Sequence, residues 1–277
     1  MEMLATIESR WKRLKDKNKT IKSMADIHQD LMKEMIMYTP NFTPFPLSED
    51  EIKAKWRNGD YLLDGLEDQV DLSFAVPLFR KLIDWSGLEK AKHSLKKLKK
   101  SVTDQEIRLV LAESLRNHDK PLWELSERYN VDIPLIAVLV QYSLLPTLDR
   151  YSRAWTRCPD LEEWGKGYCP VCGSHPILSE YRDSENFRFL RCGSCGCDWM
   201  FQRVMCANCH STDHKNLDFL FVEEEKNKYR IDVCDGCKTY IKGVNVLEPQ
   251  SYPLIYLEEM ATLHLDLIAQ EQGYQRC

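Results

Sequence analysis

Apolar residues recur at helical spacing through the front of the chain and at strand spacing further on. Met24, Ile27, Leu31, Met35 and Tyr38 fall on one side of a helix that should stop at Pro40. The segment Pro40-Asn-Phe-Thr-Pro-Phe-Pro46 cannot continue it, because each proline fixes φ and lacks the amide a helix needs. Ser48-Glu-Asp-Glu51 reads as a capping box, in which hydroxyl and carboxylate each satisfy the other's free amide, and should start a helix toward Asn58-Gly59. Thr103-Asp-Gln-Glu106 repeats the device ahead of Ile107, Leu111 and Leu115. Pro134 suits the first turn of a helix from Leu135 to Leu145 that is apolar on nearly every side and so belongs at the centre of a bundle. Past residue 176 the period shortens: Phe187-Arg-Phe-Leu-Arg191, Phe219-Leu-Phe-Val222 and Tyr229-Arg-Ile-Asp-Val233 are aromatic and β-branched runs that predict short strands. After Pro253, Leu257, Met260, Ala261, His264 and Ile268 restore the helical period up to Gly273, predicting one closing helix.

Cysteines bring chemistry to this frame. Eight of the eleven form four Cys-x-x-Cys pairs: Cys169/Cys172, Cys192/Cys195, Cys206/Cys209 and Cys234/Cys237. Such a turn sets two sulfurs at the separation a tetrahedral ion requires, and a second turn about 20 residues on completes the set. Nineteen residues separate Cys172 from Cys192 and 24 separate Cys209 from Cys234, against ten between Cys195 and Cys206, so the first two pairs should make one site and the last two another. With the strands, this predicts an α+β chain: a helical domain over residues 1–155, two tandem rubredoxin-like or zinc-ribbon metal-binding units over 156–203 and 204–250, and a C-terminal helix over 251–277. A knuckle needs a left-handed residue so that amides can point at sulfur. Gly173 and Gly196 follow the second cysteine of the first two turns, Gly236 lies inside the fourth, and Asn208 is the expected left-handed residue of the third.

Of the remaining cysteines, Cys197 could substitute as a ligand but is expected to pack as a small buried hydrophobe, Cys158 to be an exposed linker thiol, and Cys277 to lie in a fraying terminus. His175, His210 and His214 lie near the turns; four sulfurs already close each site, so they are read as neighbours of the ligands or surface residues, and His264 as a satisfied interface residue. Thiolate tetrahedra accept iron or zinc, and the spacing does not choose between them.

With 43% hydrophobic and 29% charged residues the composition is that of a soluble globular protein. The first residues run into Arg10-Trp-Lys-Arg-Leu-Lys15 with no apolar leader, and the most apolar stretch, Ile133 to Leu145, is shorter than the roughly 20 residues of a membrane span. The expected location is the cytoplasm, where clustered cysteines serve as metal ligands rather than disulfides. Formal net charge is −5, and residues 158–250 carry 11 Lys plus Arg against 15 Asp plus Glu. Four thiolates on a divalent ion leave about two further negative charges per site, so a nucleic-acid partner is not expected. Six lysines between Lys90 and Lys100 are threaded by Leu88, Ala91, Leu95 and Leu98 and read as the solvated face of an amphipathic helix. The chain carries no nucleophile-and-base signature, no phosphate-cradling loop and no HExxH motif, and a closed four-sulfur site offers no open coordination position; the expectation is a protein that is not an enzyme.

Longer motifs carry a resemblance. Trp164-Gly-Lys-Gly-Tyr-Cys-Pro-Val-Cys-Gly-Ser-His-Pro176, Arg188-Phe-Leu-Arg-Cys-Gly-Ser-Cys-Gly-Cys-Asp-Trp199, Arg203-Val-Met-Cys-Ala-Asn-Cys209, Cys234-Asp-Gly-Cys-Lys-Thr-Tyr-Ile-Lys242 and the tail Leu263 to Tyr274 together resemble the formate dehydrogenase accessory protein (FdhE) family. The likeness is specific from about residue 151 to 274 and departs most clearly at the extra Cys197. It implies a cytoplasmic assembly factor that binds the formate dehydrogenase catalytic subunit and supports its maturation. The eight paired cysteines would hold two iron ions in rubredoxin-like sites, zinc being possible in the same positions. Trp164, Tyr168, Trp199, Phe201 and Tyr240 gather near the turns and are read either as anchors for that partner or, equally, as the hydrophobic shells of two small cores. The alternatives are a zinc-ribbon nucleic-acid-binding protein and a rubredoxin-like electron carrier.

Overall fold

Capping chemistry fixes the helix starts that the sequence announces. In the computed structural model, which describes residues 2–17, 19, 22–84, 92–156, 161 and 164–277, Ser48 and Thr103 both close capping boxes. They open α3 (Glu49–Asn58), which stops at Gly59 in the left-handed region, and α6 (Asp104–Leu115). The other helices before the strands are α1 (Glu2–Lys17), α2 (Lys22–Met37), α4 (Ala75–Ile83), α5 (Lys92–Ser101), α7 (Lys120–Tyr129) and α8 (Ile133–Trp155). The expected apolar helix is thus longer than its pattern. Pro146 costs α8 one amide but does not end it, because Leu139, Leu144, Leu145, Leu148 and Tyr151 around it are all buried. In α5, Leu95 and Leu98 are buried while Lys96, Lys97, Lys99 and Lys100 are exposed, as a solvated face requires; Leu88, Lys90 and Ala91 lie outside the described residues.

The chain forms two compact units. Residues 11–46 and 63–154 form the helical one, in which His28 Nδ1 and the buried Tyr142 hydroxyl share a 2.6 Å hydrogen bond. Residues 1–10, 47–62 and 155–277 form the other. It holds β1 (Pro176–Arg182), β2 (Phe187–Cys192), β3 (Asp198–Met200), β4 (Leu217–Leu220), β5 (Tyr229–Cys234), β6 (Thr239–Val246) and β7 (Gln275–Arg276), with α9 (Tyr252–Ala261) and α10 (Leu263–Glu271). All seven strands join one sheet in the order β3-β2-β1-β6-β5-β4, with β7 beside β6. Each ribbon is an antiparallel meander, and the two meet where β1 and β6 pair in parallel, Ser179 opposite Gly243.

One face of the β4–β6 half is dry: Tyr229, Ile231, Val233, Tyr240 and Val244 pack against Leu265 and Ala269 of α10. The closing helix is two helices, not one. Lys242, fully buried on β6, reaches the carbonyls of Glu259 (3.2 Å) and Thr262 (3.4 Å) and the Asp266 carboxylate (2.6 Å). It thereby satisfies the acceptors freed where the helix breaks at Thr262.

Candidate metal centres

The four turns repeat one local structure. In the first, Cys169 N–H donates to Ser174 O (2.9 Å) and Gly173 N–H to Cys169 O (3.0 Å), while Val171 N–H points at Cys169 Sγ (3.4 Å). The second repeats this with Cys192, Gly196 and Cys197, and with Ser194 N–H on Cys192 Sγ at 3.3 Å. In the third, Cys206 N–H reaches Ser211 O, His210 N–H reaches Cys206 O, and Asn208 N–H points at Cys206 Sγ at 3.4 Å. The left-handed residue follows the second cysteine every time: Gly173 (φ +72°), Gly196 (φ +74°), His210 (φ +56°) and Lys238 (φ +56°). This corrects the expectation that Asn208 and Gly236 fill that role. Position in the turn decides it, and the turn imposes the conformation even on residues that rarely adopt it.

These turns gather the eight sulfurs into two sets, Cys169, Cys172, Cys192, Cys195 and Cys206, Cys209, Cys234, Cys237, each with all sulfurs within 4.8 Å of one another. In the first set Cys169 lies 3.4 Å from Cys195 and Cys172 3.5 Å from Cys192; in the second, Cys206 lies 3.6 Å from Cys237 and Cys209 3.7 Å from Cys234. A tetrahedron with metal–sulfur bonds of about 2.3 Å has sulfur–sulfur edges of about 3.8 Å, so a modest expansion admits an ion to either set. Each set could hold a metal ion. Burial raises the Cys169 and Cys195 thiols well above their usual range, whereas hydrogen bonds from Cys169 and Cys192 draw Cys172 well below it. Several thiolates could share that dry space only around a cation.

The two sets differ in their surroundings. All four sulfurs of the first are buried, and the knuckles that carry them are tied down: Pro170 O accepts from Leu62 N–H (2.9 Å) and Trp56 Nε1 (3.2 Å), and the Tyr256 hydroxyl donates to Gly193 O. A Cβ on Gly173 would stand 2.7 Å from the Tyr61 ring, so that glycine serves both its turn and a close contact. In the second set Cys209 is exposed and Cys237 half-buried. Burial pushes Cys234 up to about 12; at Cys237 burial is outweighed by hydrogen bonds from Thr239 (3.0 Å) and Asn208, which bring its thiol down to about 6.

Residues 168–203 match the family profile described as "FdhE, central domain", and residues 204–277 the one described as "FdhE, C-terminal domain". Over residues 168–277 the chain is thus similar to the FdhE family. It is 41% identical over 116 residues to the Protein FdhE homolog of Aquifex aeolicus and 33% identical over 113 residues to Protein FdhE of Escherichia coli O127:H6. These alignments cover 41% and 39% of this chain and 40% and 35% of those relatives, so the chain matches about two fifths of their length. The fold extends further. The crystal structure of the FdhE protein from Pseudomonas aeruginosa superposes with a TM-score of 0.73, covering 99% of this chain and 93% of that one at 18% identity.

Around the two cysteine sets the other expected residues fall as follows. Cys197 is buried with Sγ 3.6 Å from Asp198 O, outside the four-sulfur set. Cys158 lies outside the described residues. The Cys277 segment is not frayed: Gln275 and Arg276 pair with β6, and Cys277 N–H donates to Tyr240 O. His175 and His214 are exposed and His264 pairs with Glu225 (2.8 Å). His210 does something the sequence does not announce. Its Nε2 accepts Gly167 N–H at 3.0 Å, tying the segment before the first knuckle to the third. Of the two readings of the aromatic cluster, burial favours the core shells. Trp164, Trp199, Phe201 and Tyr240 are buried, and their polar atoms serve the fold: Trp164 Nε1 donates to Tyr168 O, Trp199 Nε1 to Lys166 O and Tyr240 OH to Asp266. Tyr168, half-buried, donates to Gly59 O at 2.6 Å. These rings shell small cores, because units with so little apolar interior need every large side chain inside. Among the described residues no helix is long and apolar enough to cross a membrane.

Proposed function

We propose that the chain is a cytoplasmic accessory factor for a formate dehydrogenase, that it binds the catalytic subunit during maturation, and that it is not itself an enzyme. Each four-cysteine set holds one ion, iron in the rubredoxin manner, with zinc able to occupy the same sulfurs. The observation that carries this reading is the coincidence of two closed four-sulfur sets with the FdhE central and C-terminal domains. Iron would supply a coloured one-electron couple, zinc a redox-silent staple. The chain's own residues hold the sulfurs in place, direct amides at them and, at the first set, exclude water. Anaerobic isolation with native iron supply, followed by metal analysis and an absorption spectrum, should give about two ions per chain with a ferric-thiolate spectrum. The catalytic subunit of the host's formate dehydrogenase should co-purify with the wild type and be lost from a Cys206→Ser/Cys209→Ser variant. Equal recovery would refute metal-dependent docking.

A further inference from the structure

The sheet face opposite α10 is built from charge and rings. Arg230 lies over the Tyr181 ring at 3.7 Å and near the Phe219 ring at 5.6 Å, and Gly243 makes room for that stack, since a Cβ there would stand 2.7 Å from Tyr181. Asp232 is fully engaged, accepting the Tyr181 hydroxyl and pairing with Arg230 (2.8 Å) and Arg188 (3.5 Å). Between this face and residues 203–207 lies a pocket of about 280 Å³ bordered by Cys206, Cys234 and Thr239 of the second sulfur set. Arg203 also lines it, exposed and without a hydrogen bond or ion pair among the described residues. Val204 and Phe219, 53% and 50% exposed, form the adjoining apolar wall, with Phe221 stacked beside Phe219 at 6.0 Å.

We propose that this pocket recognises a peptide segment of a partner protein in which a carboxylate side chain neighbours an apolar one. The carboxylate pairs with Arg203, whose fork geometry suits two oxygens, and the apolar group lies on Val204 and Phe219. The volume holds one or two side chains and is small for a cofactor. Strand addition along β4, an edge of the sheet, is hindered because the Asp218 carboxylate already accepts Phe219 N–H at 2.8 Å. A polyanion would meet the negative balance of the ribbons and the thiolates of the second set; a single carboxylate at an uncommitted guanidinium does not. The pocket offers these contacts whichever protein supplies the segment.

The test uses the metal-loaded full chain and four probes, acetyl-Asp-Leu-amide, acetyl-Leu-Asp-amide and their Asn counterparts, followed by NMR. At least one Asp probe should give saturable shifts at Val204, Phe219 and Ile241 with millimolar dissociation, and its Asn counterpart should bind about tenfold more weakly. Arg203→Met should erase that preference with metal content unchanged, and Phe219→Ser should weaken both members of the pair. Equal binding of Asp and Asn probes, shifts confined to other surfaces, or no saturable shift up to about 10 mM would overturn the proposal. No dehydrogenase enters this assay, so its failure leaves the accessory reading untouched.

Discussion

Challenging the loaded protein with excess chelator should release its two ions at very different rates. The second set presents the exposed Cys209 and half-buried Cys237, which a competing ligand can reach without unfolding. The first must open before any sulfur is accessible. Lifting its first knuckle breaks the hydrogen bonds from Leu62 N–H and Trp56 Nε1 to Pro170 O and exposes Val171, which is completely buried. Two hydrogen bonds at about 1 kcal/mol each and one buried Val at about 2 give an opening cost of about 4 kcal/mol, or a factor of about 10³ in rate. Metal per chain, measured after rapid desalting at successive times, should fall from two to one and then plateau. Iodoacetamide added on the plateau should label Cys206, Cys209, Cys234 and Cys237 and spare Cys169, Cys172, Cys192 and Cys195. Trp56→Phe removes one of the two hydrogen bonds and should speed the slow phase about fivefold without touching the fast one. Release of both ions in one phase, or labelling of the first set on the plateau, would refute the account of unequal protection.

Gly167→Ala places a Cβ 1.6 Å from the Ala207 carbonyl oxygen, so the segment before the first knuckle must move off the third and forfeit the Gly167–His210 hydrogen bond. A loss of about 2 kcal/mol in urea unfolding and faster release from the second set are expected, and stability within about 0.5 kcal/mol of wild type would show that the contact is dispensable. In the helical unit, burial lowers the pKa of His28, so the unfolded chain takes up its proton first as pH falls. Stability should therefore hold above about pH 6.5 and decline below it, and His28→Gln, which can still bond the Tyr142 hydroxyl, should flatten the urea midpoint between about pH 7 and 5. Parallel pH profiles for the two proteins would count against His28 as the source.

What was legible in the sequence was whatever depends on neighbours along the chain. Ser48 and Thr103 announce their helices because a capping box closes within one turn, and the cysteine spacing groups the sulfurs because a knuckle is equally local. Long-range compensation hides the rest. β1 contains Ser179, Glu180 and Arg182 and reads as polar, yet all three are buried, because Arg191 of β2 and Arg182 itself neutralise Glu180. β6 carries Lys242, which no period would place inside, since its acceptors come from a helix break 17 to 24 residues later. The apolar pattern read from Leu135 to Leu145 stops short of the helix end, which lies at Trp155, because the packing around Pro146 outweighs its one missing amide. The left-handed positions were within reach: comparing all four turns by their place after the second cysteine singles out His210 and Lys238.

The charges inside the sheet also bear on the metal sets. Cys192 ends β2 opposite Pro176 at the start of β1, and Cys234 ends β5 opposite Thr239 at the start of β6, so each pairing register dictates where a ligand sulfur stands. A slip of one residue would turn every side chain of β2 to the other face. On β1 and β2 the apolar pattern is too broken by Ser179, Glu180, Arg188 and Arg191 to resist such a slip alone. Ion pairs supply the missing discrimination. Arg191 meets Glu180 at 2.8 Å and Arg188 donates to Ser179 at 3.1 Å only in this register, and a shifted strand would leave a buried carboxylate unpaired, a penalty of about 3 kcal/mol or more. The polar strands that obscure the fold in the sequence are thus what hold the cysteine knuckles in place.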